Sequence, residues 1–120
     1  MLGRSPRRRE HVHDPREATR LELVALACEV AVLTALMDQA LERVLRRPGA
    51  QAIKDGCRVH RTAAMQLLSP ETRFEEFSDE SLWTALEAFQ ARLRSVQHLL
   101  GRLGRMLPAN RGHPQTQWGT

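Results

Sequence analysis

Apolar residues recur along most of this chain in steps of three and four, the spacing that aligns side chains on one face of an α-helix. The first series runs Leu23, Leu26, Val30, Leu33, Met37, Ala40, Val44. Leu36 and Leu41 widen it, and Ala27, Cys28 and Val32 widen it further. The pattern predicts a helix from Pro15 to Arg47. Asp14 supplies an acceptor for the first free amides, Pro15 suits the first helical position, and Glu17 completes a capping-box-like start. Pro48-Gly49 stops it, and Arg43, Arg46 and Arg47 complement the macrodipole in its last turns. An apolar surface this broad belongs to a helix that touches two neighbours, or one that also meets another chain.

A second helix is predicted from Ala50 to Leu68, with Ile53, Cys57, His60, Ala64 and Leu67 on its stripe. Lys54, Asp55, Arg58 and Arg61 lie off that line, and Gly56 weakens the helix by propensity. Ser69-Pro70-Glu71 opens a short helix or turn through Phe77, with Phe74 and Phe77 expected to tuck it onto the bundle. Ser78, followed by Asp79 and Glu80, caps a third helix. Here Leu82, Leu86, Phe89, Leu93, Val96, Leu100, Leu103 and Leu107 repeat in strict four-three spacing, a heptad seam that Pro108 ends. Trp83 and Leu99 flank the seam.

The expected architecture is a small all-α antiparallel bundle of three main helices, with room for a short fourth over 70–77. Residues 14–107 form the bundle domain. Residues 1–13 are expected as a disordered basic arm and 108–120 as a disordered polar tail, since neither has apolar periodicity. The chain of 120 residues suffices for one such core. Its composition agrees, because helix formers dominate and Tyr is absent. The apolar run Leu23 to Met37 is shorter than the ~20 residues needed to span a bilayer, and Glu29 interrupts it.

Basic residues are nearly all arginine, with Lys54 the single lysine, as coding bias in a GC-rich genome produces. The formal net charge of +4 is modest, but its distribution carries more. Beyond Glu87 there are Arg92, Arg94, Arg102, Arg105 and Arg111 and no acid. The arm adds Arg4, Arg7, Arg8 and Arg9. If the arm lies near the end of the third helix, the two make one basic region suited to phosphate-backbone contact.

Chemical motifs are scarce. Cys57 and His60 share a helical face, with Cys28 as a third candidate, but a zinc site needs four ligands and no second pair exists. Both cysteines are expected as reduced core residues. His98-Leu99-Leu100-Gly101-Arg102 places glycine one residue too early for the His-x-Leu-Lys-Gly pattern of phosphotransfer domains. The acids between Glu71 and Glu80 sit where helix starts favour negative charge. There is no phosphate loop, nucleophile elbow or metalloprotease motif.

The expectation is therefore a cytoplasmic, non-catalytic helical interaction module without cofactor or metal: an adaptor, regulator or chaperone-like protein. It would bind a protein partner or a second copy of itself through Ala25, Glu29, Val32 and Leu36. The alternative is a nucleic-acid-associated protein that uses Arg4, Arg7, Arg8, Arg9, Arg92, Arg94, Arg102 and Arg105.

Overall fold

The computed structural model describes residues 14–108, so the expectations for residues 1–13 and 109–120 fall outside it. Three α-helices account for the architecture: α1 (Pro15–Leu41), α2 (Ala50–Leu67) and α3 (Asp79–Met106). A single 3-10 turn at Phe74–Glu76 stands where a short fourth helix was allowed, and no strand occurs among the described residues.

The helix starts follow from capping. Asp14 accepts a hydrogen bond from the Arg16 amide at 3.0 Å, with Pro15 at the first helical position. The Ser78 hydroxyl accepts from the Ser81 amide at 3.0 Å. Each satisfies an amide that the helix itself leaves without a partner.

Polar contacts between helices fix their directions. Lys54 approaches Glu42 and Arg61 bonds Asp38, so α2 runs back along α1. Arg16 meets Asp79 at one end, and Arg47 donates to the Met106 carbonyl at the other, so α3 runs parallel to α1. Arg16 also donates to the Phe74 carbonyl at 3.0 Å, tying the α2–α3 connection to the start of α1. Phe74 and Phe77 stack at 5.5 Å between centroids and pack on the core, as expected.

The first helix is shorter than its pattern suggested. It ends at Leu41, and residues 42–47 continue as tight turns, with Val44 bonding Leu41 and Arg47 bonding Val44. Pro48 disfavours a helical conformation at Arg47, and three-residue bonds satisfy carbonyls left free at the helix end. Val44 nevertheless stays buried. Leu68 caps α2 instead of extending it.

The core comes from one face of each helix. On α1 the buried positions are Leu23, Ala27, Val30, Thr34, Met37 and Leu41. Leu26, Leu33 and Ala40 are only partly buried, so the face is rotated from the expected stripe. Both α2 and α3 press on α1, and the small Ala27 and Thr34 let them approach. Thr34 is tolerated in the core because its hydroxyl donates to the Val30 carbonyl of its own helix at 2.8 Å.

On α3 the seam of Leu82, Leu86, Phe89 and Val96 is buried, but Leu100 is exposed and Leu99 is the more covered of the two. A straight α-helix drifts about 20° per heptad from a 3.5-residue repeat. Over three heptads the buried face therefore moves to Leu99, Leu103 and Met106. Leu99 packs on α2 at Gly56, where an added Cβ would come within 2.9 Å of Leu99 Cδ1.

Gly49, the residue before α2, has φ +88°, a left-handed conformation that reverses the chain. An alanine at Gly49 would destabilise the bundle by about 1–2 kcal/mol through backbone strain. Urea unfolding followed by circular dichroism measures this, with the native helix content unchanged.

Candidate interaction surface

The helix that contributes most to the core also carries an apolar face that no other part of the described chain covers. Ala25, Glu29, Val32 and Leu36 are all exposed, Val32 at 58% and Leu36 at 56%. Leu21, exposed at 53%, and Cys28 share this surface. Leu21, Ala25, Cys28, Val32 and Leu36 follow one another in steps of four, three, four and four. They form a stripe opposite the buried positions that runs about 22 Å along the axis. Glu22 and Glu29 line one edge of it. Leu21 lies before the apolar run that predicted the helix, so the sequence reading missed it. The expectation that Cys28 belongs to the core is corrected. It sits a little over one-quarter of a turn from the buried Ala27, on the side away from α2 and α3, and is exposed.

Neighbouring helices extend the exposed apolar surface. Met65 is exposed at 56%, one turn beyond Arg61 on the side of α2 that reaches α1. Trp83 is exposed at 55%, and its indole N–H donates to Glu87 at 2.9 Å. With Pro15, Arg16, Thr19 and Leu82, Trp83 lines a groove of ≈ 400 Å³ where α1 and α3 begin.

The arginines of the alternative reading are not one group. Arg92 turns inward, donating to His60 Nδ1 at 3.0 Å and lying 5.6 Å from the centre of the Phe89 ring. Its charge serves packing. Arg94 and Arg105 are exposed and Arg102 is half-buried. At the far end of α3, Arg102 and Arg105 meet Arg43, Arg46 and Arg47 from the α1–α2 connection, because Arg47 bonds the end of α3 at 2.6 Å. Only tertiary structure brings these five together. Arg4, Arg7, Arg8 and Arg9 fall outside the described residues. Their segment joins α1 at Asp14, beside Asp79, which along α3 is about 39 Å from Arg105.

The opposite end of the bundle is acidic. Asp14, Glu17, Glu71, Glu75, Glu76, Asp79 and Glu80 gather at the starts of α1 and α3 and in the connection before α3, against Arg16, Arg20 and Arg73. The molecule thus has oppositely charged ends.

Cys57 is fully buried, and its thiol is pushed up from its ordinary value by burial and then by the Asp38 carboxylate, which favours the protonated form. His60 faces Arg92. No group of three or more His, Cys, Asp or Glu side chains placed to hold a metal ion occurs among the described residues, and none of their helices is long and apolar enough to cross a membrane. The chain matches no known family model, no curated protein and no solved structure.

Burial, and then the Arg92 charge, lower the pKa of His60 from its ordinary 6.5. The unfolded chain then binds more protons at this ring, so stability rises with pH here. The loss sets in as pH falls below 6.5 and levels off below the folded value. His60→Gln keeps an acceptor for Arg92 without titrating. Denaturant midpoints between pH 8 and pH 5.5 should fall for the native chain and fall less for the variant.

Proposed function

We propose that this protein is a small non-catalytic interaction module, an adaptor or regulator acting in the cytoplasm, that binds a protein partner through the outward face of α1. The observation that carries this reading is the exposure of Leu21, Val32 and Leu36, each more than half accessible, on the helix that also forms the centre of the core. A helix apolar around most of its circumference is normally covered on all sides. Contiguous apolar surface left open on a soluble domain marks a contact site. The absence of a recognised site chemistry in the sequence supports binding over catalysis.

Leu36→Glu tests it. Because Leu36 is exposed, the substitution should change stability by no more than about 0.5 kcal/mol, with the circular dichroism of the native chain. Used as immobilised bait in an extract of its source, the native chain should retain partners, or itself, that the variant loses. Equal retention by both would sink the reading, as would unfolding of the variant.

The basic end favours a second reading, contact with a nucleic-acid backbone by Arg43, Arg46, Arg47, Arg102 and Arg105. Fluorescence anisotropy with a random DNA duplex and a matched RNA, titrated across salt, measures it. Each arginine contact removed by Ala substitution should lower the log–log salt slope by about 1. An unchanged slope would clear these residues of that role.

A further inference from the structure

We propose that the outward face of α1 is covered by a second copy of this chain, packed antiparallel about a two-fold axis that passes between Cys28 and Glu29. The inference rests on the reading of this face as an interaction surface and names its occupant.

The spacing of the stripe is the first reason. A two-fold axis between residues 28 and 29 places Leu21 opposite Leu36 of the second copy and Ala25 opposite Val32. The stripe thus matches itself: two leucines meet at each end, a small residue meets a larger one inside, and the two Cys28 thiols approach near the axis. This is the self-complementarity that an isologous interface requires. Ala18 and Gln39, which continue the series, also face each other and bound the apolar contact.

Charge selects the antiparallel direction. One end of the bundle collects Asp14, Glu17, Glu71, Glu75, Glu76, Asp79 and Glu80, and the other Arg43, Arg46, Arg47, Arg102 and Arg105. Two antiparallel copies set each acidic end beside a basic one, and oppose the dipoles of the paired helices. Parallel copies would set acid on acid and base on base.

Area is the third consideration. α1 is 27 residues long, and a strip about 10 Å wide along its ~40 Å length presents about 400 Å², roughly half of what each partner buries in a standard stable interface. The charged ends supply the rest, with Met65 and Trp83 on the flanks. Residues outside the described part offer no comparable cover. Large apolar side chains among residues 1–13 are limited to Met1, Leu2 and Val12, and among 109–120 to Trp118.

The test uses the purified full chain. Sedimentation equilibrium at micromolar concentration should give a dimer that weakens with added salt and becomes a monomer with Val32→Glu, whose circular dichroism stays native. For direction, Leu21→Cys and Leu36→Cys are made in a Cys28→Ala background and treated with a short bismaleimide. The mixture should form a cross-linked pair, and neither variant alone should, because like positions lie about 22 Å apart along the axis. A monomer at every concentration would overturn the proposal, as would a dimer indifferent to Val32→Glu or Leu36→Cys chains cross-linking to themselves. If the purified chain is monomeric yet captures another protein through Leu36, the second copy is excluded while the interaction module stands. If neither occurs, both fall.

Discussion

The apolar circumference of α1 is the constraint on which the rest of this molecule depends. A helix in water is stable when its apolar stripe is covered and its polar face is wet. In α1 the covered positions, Leu23, Val30, Met37 and Leu41, are opposed by another apolar series, Leu21, Ala25, Cys28, Val32 and Leu36. α2 and α3 can cover one side of a cylinder between them. The bundle therefore satisfies the first series and leaves the second facing outward. Where the two packing helices fall decides which side is core and which is surface.

Electrostatics follows from the same arrangement. Acids stand in the first turns of α1 and α3, where the backbone dipole favours them, and Arg105 stands in the last turn of α3; Arg43, Arg46 and Arg47 come after α1 has ended at Leu41. Since α1 and α3 run parallel, their starts lie together and their ends lie together, and what is a capping preference in each helix becomes a charged pole of the whole molecule. Arg16, bonded to both Asp79 and the Phe74 carbonyl, holds the acidic end together. Arg47, bonded to the Met106 carbonyl, does the same at the basic end. Arg92 stands apart from this pattern, held inward by His60 and Phe89. An arginine in a basic run is thus not automatically a surface charge.

Much of the fold was legible because helix starts and stops are local chemistry. Asp14-Pro15, Ser78-Asp79 and Pro108 act on the backbone within one turn of where they stand, whereas α1 already ends at Leu41, seven residues before Pro48. The departures have physical causes that one helix considered alone does not contain. Thr34 enters the core because its hydroxyl bonds its own helix, so polarity was a poor guide to its burial. Leu100 leaves the seam because the sequence repeat and the helical pitch differ, so alignment at Leu82 is lost three heptads later. Of the candidate surface, Ala25, Glu29, Val32 and Leu36 were readable from the excess width of the stripe. Leu21 and Cys28 joined them only once the buried side was known.

What the sequence determined by itself is the set of helices, their approximate limits, and the fact that α1 carries more apolar surface than a single contact needs. These depend on periodicity and capping, which act between residues a few positions apart. Tertiary structure alone decided which series on α1 is buried, that Cys28 is exposed while Cys57 is not, and that Arg43, Arg46 and Arg47 stand beside Arg102 and Arg105. Each of these depends on the register of one helix against another. That register is set by close packing and by contacts such as Asp38 with Arg61 and Gly56 with Leu99, between residues far apart in the chain.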